Sequence, residues 1–420
     1  MSMSTDAMNR LPSYSAEPGY AEQRLALNPP PTTLPSPSGT FSKSSKHDDI
    51  TLHLTAQEEN AEIPVYGRGA NVEGTIELGK TKSVASVEVT LQGYLELKET
   101  GESGHVRHIL CSETVTLWTR NSSEDGGNDI CPSSLPFSLV LPTEFEHDGQ
   151  TYPLPPSYSA KLDTFPGFFA VADYSISAVL NKPHAITSKT LGLNIGNAVV
   201  STSFNYHPRT RPAHRIPPPL QYIASGGFIE QPEWHVRQST LKANPTANGV
   251  QDICVKFYLP TSRIFCAAQS IPFHITFESD AHSLAMFVPY GPVVDSNSKK
   301  GPATRVQVVR QTAVDVKHAE KARSEHGKTA IWHVDYLGDA TFKHERDGPT
   351  RTSFSGELKI EPSIGVTGFS VPGLSVTDCI TLTTEVEVNG PFMGILREVI
   401  PIQLTTDPWL DEGMLRKENL

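Results

Sequence analysis

Residues 84–97, with the sequence VASVEVTLQGYLEL, most strongly limit the folds open to this chain, because apolar and polar residues alternate along them. Side chains of a strand point alternately to the two faces of a sheet, so this pattern predicts a half-buried strand. One face would carry Val87, Val89, Leu91, Gly93, Leu95 and Leu97. A glycine in the middle of such a strand indicates a bulge or a close neighbour.

Further short strand patterns, separated by turn residues, follow one another through most of the chain. The clearest lie at residues 50–55, 72–78, 106–110, 114–119, 135–142, 168–180, 233–242, 252–259, 270–279, 305–317, 330–336, 354–362, 379–388 and 400–404. The chain contains no amphipathic helix pattern of useful length, which excludes folds built from βαβ units. We therefore predict an all-β protein of sandwich type.

The length of 420 residues favours two domains rather than one core. We predict the following division: a disordered Pro/Ser-rich tail at residues 1–48, a first sandwich domain at 49–206, a Pro-rich linker at 207–221, a second sandwich domain at 222–406 and a C-terminal tail at 407–420. Within the tail, residues 21–27 could form one or two helical turns. A short sequence similarity, which we call the echo, suggests that the two halves contain equivalent strands. It joins Leu135-Pro136-Phe137 in the first half with Ile271-Pro272-Phe273 in the second.

Charge and composition limit the partners. The net charge of −11 argues against nucleic acid, since phosphate binding needs a basic face. No apolar run approaches the ~20 residues that span a bilayer, and the N-terminus lacks the apolar core of a secretory signal. Five scattered cysteines without a C-x-x-C pair indicate reduced thiols. We expect a soluble intracellular protein.

The sequence gives no catalytic motif and no cofactor is expected, because the chain lacks G-x-S-x-G, a phosphate-binding loop and H-E-x-x-H. His105, His108 and Cys111 recur every three residues, but on a strand His105 and Cys111 would face away from His108. We therefore predict no metal site. An enzyme on a β-sandwich remains the alternative that a cleft of converging polar groups would support.

Two short motifs could bind WW domains, which recognise prolines in extended polyproline form followed by a tyrosine. Pro155-Pro156-Ser157-Tyr158 matches the stronger pattern, and Leu11-Pro12-Ser13-Tyr14 matches the weaker one. The first is expected to serve as a loop of the sandwich rather than as a docking motif. The second lies in the predicted tail, where chance occurrence in low-complexity sequence and docking are equally good explanations.

The predicted linker is locally basic. Arg209, Arg211 and Arg215 lie there against an acidic background. A solvated linker is the simpler interpretation. The alternative is contact with phosphorylated segments or anionic lipid head groups, because arginine binds phosphate through two parallel hydrogen bonds.

Several stretches of the first half resemble arrestin-like proteins of the α-arrestin type, the arrestin-related trafficking adaptors. The stretches are Val65-Tyr66-Gly67-Arg68-Gly69, Val72-Glu73-Gly74-Thr75-Ile76, VEVTLQG at 87–93, Leu135-Pro136-Phe137 with Leu141-Pro142, Leu154-Pro155-Pro156-Ser157-Tyr158, Asp173-Tyr174-Ser175-Ile176 and FNYHPRTRP at 204–212. The second half is similar in strand layout but less specific.

The resemblance implies two tandem arrestin-like, immunoglobulin-like β-sandwich domains without catalytic activity. It also implies a cytoplasmic adaptor that joins membrane transporters or receptors to WW-domain ubiquitin ligases of the HECT class in endocytosis, with recruitment to the plasma membrane or endosomes. The alternative is a signalling scaffold or sorting-complex subunit of the same fold that recruits no ligase. The sequence does not identify the cargo, the modified lysine or the oligomeric state.

Overall fold

The computed structural model describes most of the chain between residues 22 and 410. The described ranges are 22–25, 37–82, 84–101, 104–120, 130–183, 186–188, 193–195, 197–223, 227–289, 292–294, 300–320, 330–361, 365–387 and 390–410.

Most of the described residues are in strands and very few are in helices, so the protein is nearly all-β, as predicted. The strands are β1 (Glu22–Leu25), β2 (Gly39–Ser44), β3 (Ile50–Gln57), β4 (Val65–Tyr66), β5 (Asn71–Leu78), β6 (Ser86–Thr100), β7 (His105–Thr119), β8 (Ser134–Val140), β9 (Glu144–His147), β10 (Gln150–Pro153), β11 (Tyr158–Leu162), β12 (Gly167–Asn181), β13 (Ile186–Ser188), β14 (Leu193–Ile195), β15 (Ala198–Tyr206), β16 (Arg209–Pro212), β17 (Tyr222–Ile223), β18 (Gly227–Phe228), β19 (Trp234–Ala243), β20 (Ile253–Pro260), β21 (Ile264–Cys266), β22 (Ile271–Glu278), β23 (Pro292–Val294), β24 (Lys300–Pro302), β25 (Thr304–Val314), β26 (Ile331–Gly348), β27 (Arg351–Leu358), β28 (Phe369–Val371), β29 (Leu374–Glu385), β30 (Phe392–Met393) and β31 (Ile395–Thr405). Two short helices accompany them, α1 (Ala281–Met286) and α2 (Val316–Glu320). Within the described ranges, no helix has the length and apolar character needed to cross a membrane.

The first half forms two sheets that share one hydrophobic core. One sheet has the strand order β4-β15-β12-β6-β7, with β11 paired to β12, and the other has the order β2-β3-β5-β8. Inward-facing residues of both sheets, such as Leu52, Ile76, Leu91 and Ile176, are fully buried in one cluster. The alternation predicted for residues 84–97 is confirmed, because every second residue of β6 is buried.

The second half forms one large sheet with the order β21-β31-β29-β25-β26-β27-β22-β20-β19-β30, and β28 pairs with β29. The long strand β26 pairs first with β25 and then with β27, so it joins two groups of strands. Phe257, Phe273, Val308, Ile380 and Leu404 belong to the core between these groups.

The two halves repeat one strand topology. The order β21-β31-β29-β25-β26 with β28 on β29 matches β4-β15-β12-β6-β7 with β11 on β12, and β19-β20-β22-β27 matches β2-β3-β5-β8. The match holds for strand direction, since β4–β15 and β21–β31 are both parallel and the other corresponding pairs are antiparallel. Each half therefore runs through the same ten positions in the same chain order.

This correspondence corrects the short sequence echo, because the two echoed strands are not equivalent. Leu135-Pro136-Phe137 lies in β8, whose counterpart is β27, whereas Ile271-Pro272-Phe273 lies in β22, whose counterpart is β5. In the first half Phe137 lies opposite Gly74 across the β5–β8 pair, and in the second Phe273 lies opposite Gly356 across β22–β27. The phenylalanine and the glycine have exchanged strands, and each ring covers the space above its glycine.

Two segments of the predicted disordered tail are strands. Glu22–Leu25 pairs with Arg209–Pro212 as β1 on β16, and Gly39–Ser44 pairs with β3. The sequence allowed residues 21–27 at most one or two helical turns, but the backbone of β16 offers Glu22–Leu25 hydrogen-bond partners that a lone helical turn lacks. For the same reason Arg209–Pro212, which belongs to the predicted Pro-rich linker, is a strand.

The remainder of the linker is fixed to the second half by a small aromatic cluster. Leu220, Phe228, Trp234 and Tyr258 are buried together, and the Trp234 indole N–H donates to the Pro218 carbonyl at 3.1 Å. His274 lies beneath them and its Nε2 accepts the Leu220 N–H at 3.0 Å. Nε2 therefore carries no proton, and the imidazole is neutral. Burial of the ring lowers the pKa of His274 to about 4.

This arrangement predicts that acid weakens the attachment of the linker at His274 and lowers the stability of the protein. The unfolded chain binds a proton at His274 near its ordinary pKa of 6.5, but the folded chain does so only near 4. The free energy of unfolding should therefore fall as the pH falls from 6.5 to 4, by on the order of 3 kcal/mol at the lower end. Urea unfolding of the wild type and of His274→Gln at pH 7, 5.5 and 4.5 measures this. Glutamine keeps an acceptor without titrating, so an equal pH dependence in both proteins would disprove the assignment.

Candidate functional site

The loop that carries the predicted site residues Pro155, Pro156 and Tyr158 reaches the region where the two halves meet, which we call the joint. The joint consists of the ends of β6 and β7, the loop at residues 154–158 and strand β11 from the first half, and of β25, α2, β28 and β29 from the second. Val314, Ala319, Phe369, Leu374 and Val376 of the second half are buried in the same cluster as the core of the first. The joint is thus a mainly apolar contact with a few polar groups.

Helix α2 is held at both ends by the first half. The Val316 N–H donates to Oε1 of Glu99 at 2.9 Å, and the ring of His108 contacts the Ala319 carbonyl through Nε2 at 2.9 Å. Glu99 is only 6% exposed, and its carboxylate supplies the acceptor that the first turn of a helix needs. A helix of this length forms because these partners fix it, not because of its own propensity.

Close approach at the joint depends on glycine. Gly373, in the turn between β28 and β29, has a φ of +79°, and a Cβ atom there would lie 2.4 Å from the Ala319 Cβ and 2.8 Å from Leu97 Cδ1. Both the backbone conformation and the space exclude larger residues. The Leu97 side chain of the first half therefore packs directly against the Gly373 backbone of the second.

The loop Pro155-Pro156-Ser157-Tyr158 is built into the first half. Pro155 and Pro156 are buried. The Tyr174 hydroxyl donates to the Pro155 carbonyl at 2.5 Å, the Ser157 N–H donates to the Tyr206 carbonyl at 3.0 Å, and the Tyr206 N–H donates to the Ser157 hydroxyl at 2.9 Å. Complete burial raises the pKa of Tyr174 well above its ordinary value, so the phenol remains a donor.

Tyr158 crosses the joint. Its hydroxyl lies 2.8 Å from the Thr312 hydroxyl of β25, and its ring makes an edge contact with Phe369 of β28 at 5.2 Å between centroids. Burial raises the pKa of Tyr158, so the phenol is neutral at physiological pH. In this conformation the prolines and the tyrosine face the protein interior, whereas a WW domain needs both free. The weaker motif, with Leu11, Pro12 and Tyr14, lies outside the described residues.

A buried ion pair stands beside Thr312. Arg310 of β25 donates from Nε and Nη2 to the two carboxylate oxygens of Asp378 on β29, at 2.8 and 3.0 Å. Arg310 is 7% exposed and Asp378 is fully buried. A bidentate pair of this kind fixes the register of its two strands at the joint.

The linker arginines occupy different surroundings. Arg209 forms a bidentate ion pair with Asp407, and this contact raises the pKa of Arg209. Arg211 is half-buried, which lowers its pKa, and its Nε atom has no hydrogen-bond partner among the described residues. Arg215 is exposed. Arg209 is thus committed to the C-terminal segment, so Arg211 and Arg215 alone remain candidates for contact with phosphate or lipid.

His105, His108 and Cys111 all lie in β7, where a bulge changes the face of the sheet to which a side chain points. Gly93 pairs with Cys111 and Tyr94 pairs with Ile109, so Leu110 is an extra residue on β7. Cys111 therefore shares the inward face with His108, and the prediction that it shares a face with His105 is wrong. His105 instead contacts Glu96 at 3.0 Å. Across the described ranges, no cluster of at least three His, Cys, Asp or Glu side chains could hold a metal ion.

The polar groups that hold the joint together were not found from the sequence. A partial signal was present, because Arg310 follows Val308 and Val309 in β25, and Asp378 precedes Cys379 and Ile380 in β29. A charged group must be paired when it is buried. The partner is far away in the sequence, so only the fold identifies it. A scan of protein-family models gives no match to the chain, and a search of curated protein sequences also gives none.

Proposed function

We propose that this chain is a non-catalytic, arrestin-like adaptor made of two tandem β-sandwich domains. It would connect membrane transporters or receptors to WW-domain ubiquitin ligases of the HECT class during endocytosis. Its place would be the cytoplasm, with recruitment to the plasma membrane or endosomes. No cofactor takes part in this function.

The repeated strand topology is the observation that carries the proposal. A tandem pair of sandwiches requires two sets of strands, each packed around its own core. The two halves have such sets, and corresponding strands have the same neighbours, the same direction and the same order along the chain. Edge strands and an apolar joint offer surfaces for binding. The sequence resemblance in residues 65–212 points to the same family.

The ligase connection depends on Leu11, Pro12 and Tyr14, because Pro155 and Pro156 are buried in the first half and Tyr158 is held at the joint. A single weak motif binds one WW domain poorly, so such an adaptor would gain from several contacts with the same ligase. This consideration also supports the alternative function, a scaffold or sorting-complex subunit of the same fold without a ligase. The engagement of Tyr158 by Thr312 is the specific observation in its favour.

Binding of the full chain to a purified tandem WW-domain protein tests the proposal. We expect Tyr14→Ala to weaken binding by about tenfold or more, since the tyrosine fills its own pocket on the WW domain. Tyr158→Phe should leave binding unchanged. It should instead lower the free energy of unfolding by about 1 kcal/mol through loss of the bond to Thr312. Isothermal titration calorimetry and urea unfolding measure the two effects.

Two results would contradict this assignment of roles. If no WW domain binds the wild type, or Tyr14→Ala binds as well as the wild type, the ligase connection fails and the scaffold function is preferred. If Tyr158→Phe weakens WW binding with an unchanged unfolding curve, the loop at residues 155–158 opens and serves as the docking motif.

A further inference from the structure

We propose that the edge of β26 at residues 331–336 pairs with the same edge of a second copy of this chain, which gives a two-fold symmetric dimer. Over these residues β26 pairs with β25 on one side, and its pairing with β27 begins only at Ala340. In the part of the chain that the structure describes, no other backbone segment is hydrogen-bonded to this stretch. The unpaired N–H and C=O groups of such an edge are a template for a strand of another chain.

This edge lacks the charged residues that protect other edge strands of the molecule. Lys43 on β2, Arg107 on β7 and Arg237 on the open part of β19 each place a cation on an edge strand. Such a cation disfavours pairing with another chain. Residues 331–336, with the sequence IWHVDY, contain no lysine, arginine, proline or glycine.

The two faces of this edge differ in polarity. Trp332, Val334 and Tyr336 share one face and are 37%, 40% and 67% exposed. His333 and Asp335 share the other face, where Nε2 of His333 lies 2.9 Å from Oδ1 of Asp335. An added strand therefore meets an apolar row on one face and a histidine–carboxylate pair on the other.

A second copy fits because this stretch is complementary to itself. An antiparallel pair with its two-fold axis at Val334 places Val334 opposite its own counterpart. Trp332 then lies opposite Tyr336 of the second copy, and this aromatic pair occurs twice. On the other face His333 lies opposite Asp335 of the second copy, so the two histidine–carboxylate pairs join in one cluster of alternating charge. Cross-strand aromatic pairs and pairs of opposite charge both stabilise antiparallel strands.

The neighbouring two-fold registers lack this complementarity. An axis at His333 would place two histidines opposite each other, and an axis at Asp335 would place two carboxylates opposite each other. Like charges directly opposite each other destabilise a strand pair. The order of residues along the edge therefore favours the register centred on Val334.

An apolar cavity beside the edge extends the contact. The cavity has a volume of about 840 Å³, and Phe165, Ile331 and Trp332 are among its lining residues. Phe165 is 83% exposed. Tyr336 of the second copy would lie against Trp332 and thus at this cavity, where its ring would cover apolar surface. One short strand pair with these side chains is a small interface, so we expect a Kd on the order of 10 µM.

Dimerisation would have a consequence for the recruitment of a ligase. Each dimer would carry two copies of the motif with Leu11, Pro12 and Tyr14. Two weak motifs in one assembly bind a tandem WW-domain protein more tightly than one does. This consequence rests on the proposed function, whereas the dimer itself needs no ligase.

Sedimentation velocity of the full chain between about 1 and 100 µM tests the dimer. The wild type should change from monomer to dimer over this range. Val334→Lys should weaken the dimer by at least about tenfold, because two cations would face each other at the axis. Val288→Lys is the matched control and should dimerise like the wild type, since Val288 is 63% exposed and lies outside β26.

Two charge variants test the register. His333→Glu sets acids opposite each other and Asp335→Lys sets a cation opposite a histidine, so each variant alone should dimerise at least about tenfold more weakly. An equimolar mixture of the two should form a heterodimer within about threefold of the wild-type affinity, because opposite charges then face each other again. Urea unfolding of each variant shows whether its fold is retained.

Three results would overturn the proposal. A wild type that stays monomeric at about 100 µM would leave the edge of β26 to an extended segment of another protein. A dimer unchanged in Val334→Lys would mean that a different surface pairs. A mixture of the charge variants that fails to associate would exclude the register centred on Val334. Tyr14→Ala should leave the dimer unchanged, so failure of the ligase connection is distinguishable from failure of this proposal.

Discussion

Arg310→Met is expected to lower the free energy of unfolding by about 3–5 kcal/mol, the largest effect that we predict for a single side chain. The change leaves the Asp378 carboxylate buried without its bidentate partner, and Asp378 is fully inaccessible to water. Methionine has a similar length, so the loss reports the charge rather than a cavity. Urea unfolding followed by circular dichroism measures the effect.

The double variant Arg310→Met/Asp378→Leu is the control. It removes both charges and should recover most of the lost stability, to within about 2 kcal/mol of the wild type, because two apolar residues of similar volume need no partner. A double variant as unstable as the single one would show that Arg310 acts through packing instead. A loss below about 1 kcal/mol in the single variant would show that water reaches Asp378.

Gly93→Ala is expected to destabilise the protein by about 1–3 kcal/mol and to loosen the loop at residues 155–158. A Cβ atom at this position would lie 2.5 Å from the ring of Tyr174 and 3.0 Å from the Cys111 sulfur. The Tyr174 hydroxyl is bonded to the Pro155 carbonyl, so displacement of the ring would pull on that loop. Unfolding curves give the stability, and hydrogen exchange at the Ser157 amide gives the loosening.

The matched control is Gly365→Ala, because an added Cβ there would meet no atom within 4 Å. Its free energy of unfolding should stay within about 0.5 kcal/mol of the wild type. If Gly93→Ala destabilises the protein but leaves exchange at Ser157 unchanged, Tyr174 does not hold the loop. Faster exchange together with new WW-domain binding would show that the loop is a latent docking motif.

The two predictions concern the same loop, residues 155–158, because Tyr174 contacts one end of it and the strand that carries Arg310 contacts the other. Tyr174 holds Pro155 from within the first half, while Thr312, next to Arg310 on β25, meets Tyr158 from the second. The access of a WW domain to this loop therefore depends on the stability of the joint.

Local patterns in the sequence were sufficient for the fold class. Alternation in β6, β8 and β12 predicted strands with one buried face, and the observed burial confirms it. Gly93 was expected to mark a bulge or a close neighbour, and it does both, next to Tyr174 and a register shift. These properties depend on residues close together in the chain, where periodicity is informative.

Strand partners were not determined locally. The segment Glu22–Leu25 looked like tail or helix, yet it is a strand because β16 provides a partner far along the chain. The short Leu-Pro-Phe and Ile-Pro-Phe echo pointed to the wrong pair of strands, because a phenylalanine on either strand can cover a glycine on the other.

The sequence by itself determined that this is an all-β chain with alternating strands, a negative net charge and a tyrosine motif between two strands. Only the tertiary structure decided that Tyr158 lies in the joint, that Arg310 is neutralised by Asp378 and that Glu99 holds α2. The physical reason is that burial and pairing of a polar group depend on neighbours that are distant in sequence, with separations of 154, 68 and 217 residues in these three contacts.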